Sequence, residues 1–256
     1  MKRLIFNFSI FASLCILLSN DPISSGVYEW KEPVQDTHKN PKSSVLFEGS
    51  TKHMEWLQMN SEQLEHSTKR IRITALENEE ELYIIKKGIL TVLLNDSSAS
   101  LVPGSMILLE AGKDLFIQND NSSPCKYYLM KYRSRARIDK GKAMQTGGSF
   151  MKDWNKVEFK PHDKGGVRNY FETATIMCKR LEMHVTTLNA GLKSHDPHRH
   201  EAEEIILMMD GRTEMQIGEN FYKGKDGSVF FANSNILHGI RNEGTTSCTY
   251  FAFQFE

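Results

Sequence analysis

His198 and His200 stand two residues apart in the stretch Ser194-His195-Asp196-Pro197-His198-Arg199-His200, a spacing that puts both imidazoles on one face of an extended strand. Glu204 follows four residues after His200, at the head of the apolar run 205–209, and His238 lies further on in the alternating segment 236–240. Three imidazoles and one carboxylate meeting at a point make a ligand set for one divalent transition metal, with Mn, Fe, Zn, Ni and Cu all compatible. One or two coordination positions would stay open for water or substrate oxygens. An ion held this way can polarise a carbonyl, make hydroxide near neutral pH or stabilise an enediolate, and as Fe or Cu it can engage dioxygen.

At these residues the chain resembles the cupin superfamily. The first cupin motif places Glu four residues after the second His of a His-X-His pair and Gly seven residues further, as His198, His200, Glu204 and Gly211 do here. Of the second motif, Gly227, His238 and Asn242 keep their places, while Asn233 and Asn235 stand where Pro and Gly are usual. Asn tolerates the left-handed backbone that Gly would supply, so the turn before His238 can still form. The resemblance implies an all-β fold of jelly-roll type, with His198, His200, Glu204 and His238 pointing into the barrel.

The motif has an echo earlier in the chain. Glu204, Gly211, Gly227, Asn242, Cys248 and Tyr250 each have an identical residue 123 positions before, namely Glu81, Gly88, Gly104, Asn119, Cys125 and Tyr127. A repeat of this length predicts two tandem jelly-roll (cupin) β-barrels. Carried through without a gap, the shift sets Ala75 against His198, Glu77 against His200 and Leu115 against His238. A lone Glu81 cannot hold a transition metal in the cupin manner, so the first barrel is expected to be metal-free.

The chain then divides into a signal peptide (1–20), an N-terminal arm (21–50), a degenerate cupin without metal (51–135), a connector (136–165) and a metal-binding cupin (166–256). The signal rests on Lys2 and Arg3 ahead of a short apolar run and a polar exit, which predicts export to the periplasm or the outside of the cell. The arm reads as polar and irregular. Within the connector, Trp154 and Phe159 are expected to pack on a barrel. Lys+Arg and Asp+Glu balance at 32 each, which gives no footprint for nucleic acid, and no membrane association is expected once the signal is removed. Cys125, Cys178 and Cys248 are too few and too scattered for a disulfide framework and read as buried thiols.

These readings predict a metal-dependent cupin enzyme, of hydrolase, isomerase or dioxygenase type, acting on a small oxygen-rich substrate such as a sugar acid, ureido compound or phenolic diol. The alternative is a non-catalytic metal-dependent or carbohydrate-binding two-barrel module. Among two-barrel cupins, ureidoglycine aminohydrolases share the C-terminal metal but not this ligand pattern. Oxalate decarboxylases load both barrels and pirins the N-terminal one, while quercetin-dioxygenase-like proteins stay compatible. Strand pairing between cupins makes a homodimer possible. No catalytic acid or base is assigned; Glu214, Gln216, Tyr222, Tyr250 and Gln254 are candidates, whereas Arg241 should point outward. His195 is expected to be exposed or to back up a ligand, and His184 to be structural.

Overall fold

The structure is a computed structural model that describes residues 21–34, 40–136, 141 and 148–256; the expected signal segment lies outside these residues. Among the described residues, no helix is long and apolar enough to cross a membrane. The described residues form twenty strands. The first half contains β1 (Gly26–Tyr28), β2 (Lys42–Gly49), β3 (Met54–Leu64), β4 (Thr68–Thr74), β5 (Glu80–Lys87), β6 (Leu90–Leu94), β7 (Ser97–Leu101), β8 (Met106–Leu109), β9 (Asp114–Asn119) and β10 (Cys125–Ser134). The second contains β11 (Phe150–Lys152), β12 (Lys160–His162), β13 (Gly165–Thr173), β14 (Leu181–Leu188), β15 (Glu203–Asp210), β16 (Arg212–Ile217), β17 (Asn220–Lys225), β18 (Val229–Ala232), β19 (His238–Asn242) and β20 (Cys248–Phe255).

These strands form two tandem jelly-roll barrels. In the first, the sheet β11-β8-β5-β10-β3-β2 faces the smaller sheet β4-β9-β6-β7; in the second, β1-β18-β15-β20-β14-β13-β12 faces β17-β16-β19. The arm predicted to be irregular therefore contains two strands, and its β1 pairs with β18 of the second barrel. In the same way β11, from the connector, pairs with β8 of the first. Each added strand covers a sheet edge whose unpaired N–H and C=O groups would otherwise be open to other chains.

The larger sheets lie back to back. Alternation along β10 divides its side chains, with Tyr127 and Leu129 in the first barrel's interior and Tyr128, Met130 and Tyr132 in the core between barrels. From the second barrel, Ile205, Leu207, Phe231, Phe251, Phe253 and Phe255 enter that shared core, while Ile206, Met208, Phe230, Tyr250 and Ala252 fill its own interior. With both faces covered, β5 and β15 are buried along almost their whole length and show no polar alternation.

The contacts between halves are paired, as the repeat implies. Tyr128 donates to the carbonyl of Gly227 at 3.1 Å, and Tyr170 to that of Gly104 at 2.6 Å. Thr51 donates to Glu203 at 2.6 Å, and Thr175 to Glu80 at 2.7 Å, so the first Glu of each pair Glu80-Glu81 and Glu203-Glu204 ties one half to the other. Gly104 (φ 89°) and Gly227 (φ 91°) turn left-handed at matching corners. A Cβ on Gly104 would come within 2.3 Å of the Trp154 ring, and one on Gly227 within 3.0 Å of Trp30. Trp154 packs on the first barrel as expected. Phe159 lies against Gly166 and the Arg168 guanidinium but keeps an exposed face. Cys125, Cys178 and Cys248 are buried thiols, and burial pushes the Cys125 thiol up to about 12 and Cys248 up to about 11.

Candidate metal centre

His198 reaches the site from the loop before β15, held by a two-way bridge to the first residue of β19. Its N–H donates to the His238 carbonyl at 2.9 Å, and the His238 N–H returns the bond at 3.0 Å. His200 follows, its carbonyl accepting from the Asn235 N–H at 2.8 Å. Asn235 has φ 60°, so Asn does take the left-handed conformation at this turn. Asn242, at the other end of β19, donates from Nδ2 to the carbonyls of Leu188 and Thr246, both at 2.8 Å. Asn119 does the same in the first barrel with Leu64 and Ser123.

The three imidazoles converge. Ring centroids are 5.1 Å apart for His198 and His200, 4.9 Å for His198 and His238, and 4.8 Å for His200 and His238, and their ligating atoms lie within 4.8 Å of one another. His238 is buried and His198 is more open. Glu204, at the head of β15, puts Oε2 at 2.7 Å from His238 Nε2 and 3.3 Å from His200 Nε2.

The tautomers follow from the backbone. His238 Nδ1 lies 2.8 Å from the Ile236 carbonyl, and His200 Nδ1 lies 2.8 Å from the Ala202 carbonyl. A carbonyl only accepts, so each Nδ1 carries a proton. In a neutral ring Nε2 is then a bare lone pair. Both lone pairs would face the same carboxylate oxygen, which is repulsive unless a cation lies among them. In the metal-free state a proton on His200 beside Glu204 meets that need. Burial would by itself raise the Glu204 carboxyl, but the hydrogen bonds and charge of His200 and His238 hold it at about 2. The Glu204 hydrogen bond raises His200 in turn, whereas burial and the neighbouring rings lower His198. His198 Nδ1 is buried without a hydrogen-bond partner among the described residues, a vacant donor beside the cluster. The donor set fits a divalent transition ion.

Other predicted residues fall on different sides. Gln254 lies at the site, its Nε2 3.3 Å from His200 Nε2 and its Oε1 accepting from Arg180 at 3.2 Å. Tyr250 is buried in the barrel interior. Tyr222 packs against that core from β17. Glu214 and Gln216 are not inside: Met215 and Ile217 take the inward positions of β16, and Glu214 pairs with the exposed Arg241 at 2.7 Å. Arg241 does point outward. His195 is exposed, its ring centroid 4.3 Å from that of His198 in a T-shaped contact, and His184 is half-buried on β14 beside Glu182 at 3.2 Å. Sequence reasoning overlooked Arg180 and Glu182, which pair at the mouth. Their alternation with His184 was the available signal.

The first barrel departs from the ungapped alignment. Ile73 pairs with Leu115, as His198 pairs with His238, so Ile73 and not Ala75 is the counterpart of His198. Ala75 then matches His200: the Gly112 N–H donates to the Ala75 carbonyl just as Asn235, 123 residues on, donates to His200. The turn between Ala75 and Glu81 is two residues longer than that between His200 and Glu204. Glu77 falls in that extra length. Ile73, Ala75 and Leu115 are all apolar, which leaves Glu81 as the one ligand-type residue at these four positions.

Residues 184–253, which hold all four predicted ligands, match the family model for a cupin domain. No curated protein sequence matches the chain. Among solved structures, AerE from Microcystis aeruginosa is 12% identical over 90% of this chain and 98% of its own, with a TM-score of 0.65. Protein Ylba from E. coli is 14% identical over 88% of this chain and 87% of its own, with a TM-score of 0.64. The oxalate decarboxylase of Lactobacillus farciminis, solved as a formate complex, is 12% identical over 92% of this chain and 87% of its own, with a TM-score of 0.66. At such identities the likeness is one of fold. The segment around the histidines matches the cupin-domain model, and the chain shares its two-barrel fold with these structures.

Proposed function

We propose that this cupin chain is a metal-dependent enzyme acting on a small oxygen-rich molecule at His198, His200, Glu204 and His238. The observation that carries the reading is the pair of Nδ1-protonated rings aiming Nε2 at one buried carboxylate oxygen. Such an arrangement calls for positive charge at its centre, which a proton supplies until a metal ion takes its place. A bound divalent ion would supply Lewis acidity toward substrate oxygens. The protein's part is to hold the histidine tautomers through the Ile236 and Ala202 carbonyls, to keep Glu204 ionised, and to exclude water on the side of Met208, Phe230 and Ala252.

Gln254 and Arg180 border the open side. Gln254 is the group best placed to orient a substrate beside His200, and Arg180 fixes the Gln254 amide through its oxygen. Export directed by residues 1–20 is part of the same proposal, and N-terminal sequencing of protein recovered from outside the cytoplasm tests it. The main test is metal analysis of the wild type against His238→Ala, followed by turnover assays on sugar acids, ureido compounds and phenolic diols. The wild type should carry one divalent ion per chain, and the variant should lose it together with any turnover. Wild-type protein that takes up no divalent ion would refute the proposal. Turnover that survives in metal-free His238→Ala would do so as well.

A further inference from the structure

We infer that the first barrel holds a second, metal-independent site for a small neutral molecule rich in hydroxyl groups. Its position is that of the metal centre in the other barrel. In the second barrel Gln254 pairs in register with Glu204; in the first, Lys131 pairs with Glu81. Where imidazoles surround Glu204, the Lys131 ammonium lies 3.1 Å from Glu81 and 3.7 Å from Glu79. A fixed internal cation thus neutralises the buried carboxylate that a metal would otherwise balance.

What remains is a cavity of about 470 Å³ that includes Asn60, Glu62, Glu81, Tyr83, Tyr127 and Lys131 in its lining. Small-molecule sites typically enclose roughly 300–1,000 Å³. Asn60 is only 3% exposed; its Nδ2 donates to Gln58 at 2.9 Å, and its Oδ1 has no partner among the described residues. A buried amide oxygen left unpaired is costly, so a ligand donor fits there. Two carboxylates add acceptors, each already holding one donor: Ser43 donates to Glu62 at 2.6 Å, and the Tyr83 hydroxyl donates to Glu81. With the Asn60 oxygen, the wall is rich in acceptors, which suits a ligand that brings its own O–H groups. Fixed charges sort the ligand further. The carboxylates of Glu62 and Glu81 repel an anion, a penalty that a neutral molecule escapes. The rings of Tyr83 and Tyr127, 5.9 Å apart, add apolar surface for C–H faces.

The test compares glucose, xylose, mannitol and maltose with glucosamine and gluconate by calorimetry on the full chain in EDTA. At least one neutral polyol should bind, with binding unchanged in His238→Ala and weakened roughly tenfold in Asn60→Leu, as expected for loss of a buried hydrogen-bond acceptor. Ring resonances of Tyr83 and Tyr127, assigned with Phe variants, should shift with the same sugar in the wild type, so the outcome stands even if Asn60→Leu fails to fold. Three results would overturn the inference: no binding by any neutral polyol, binding by glucosamine or gluconate alone, or sugar binding that disappears in His238→Ala while the tyrosine resonances stay still.

Discussion

Replacing Glu204 by Gln tests the charge logic of the metal centre without any metal present. Gln has the shape of the protonated acid, so the variant fixes the state that the folded protein disfavours. The Glu204 carboxyl is held at about 2 against an ordinary 4.5, a difference worth roughly 3 kcal/mol in favour of the folded, ionised form. The sign follows from the direction. A lowered carboxyl contributes stability that is fully present above its unfolded value of 4.5 and is lost as pH falls toward about 2. EDTA-treated Glu204→Gln should therefore melt below the wild type at pH 7, by roughly 6–12 °C for a chain of this size. In urea titrations the gap should narrow steadily below the ordinary carboxylate value. With a divalent ion added, the wild type should gain melting temperature with the logarithm of ion concentration once that exceeds Kd, and the variant should gain far less. If metal-free Glu204→Gln melts with the wild type at pH 7, or if the gap does not depend on pH, then the histidines do not hold that carboxylate ionised.

Three further outcomes follow from the same geometry. Metal uptake must displace the proton that Glu204 draws onto His200, whose value is raised above 6.5, so affinity should fall by up to about tenfold per pH unit below neutrality, read as a pH-dependent Kd with proton release in calorimetry. Glu80, buried where Thr175 and Tyr132 donate to it, is pushed up to about 7 from 4.5, which penalises the folded state by roughly 3 kcal/mol once pH exceeds about 7; Glu80→Gln should stabilise the protein at pH 8 in urea unfolding and leave it unchanged at pH 4. Gly104→Ala would drive a methyl to 2.3 Å from Trp154 at φ 89° and should cost roughly 2–3 kcal/mol, seen as a lower urea midpoint with unchanged slope.

Much of the candidate metal centre was legible before any fold was known, because residue spacing on strands is a local property. His198, His200, Glu204 and His238 gather as their spacing predicts, and Asn235 supplies the left-handed turn that its residue type permits. What misled was parity and gaps. Glu214 and Gln216 looked available, yet β16 turns Met215 and Ile217 inward and leaves Glu214 to Arg241. An ungapped shift set Ala75 against His198, while the ladder sets Ile73 there and Ala75 against His200, because the longer turn after Ala75 adds two residues that no motif marks.

The sequence by itself determined the candidate donor set and the repeat. These are matters of residue type and separation, and they hold wherever the strands lie. The tertiary structure decided which faces are interior. The two large sheets bury both sides of β5 and β15, which removes the alternation that would tell one face from the other. It also decided that Gly26–Tyr28 of the arm completes the second barrel's sheet and that Lys131 rests on Glu81. Both depend on contacts between residues far apart in the chain, which local spacing does not encode.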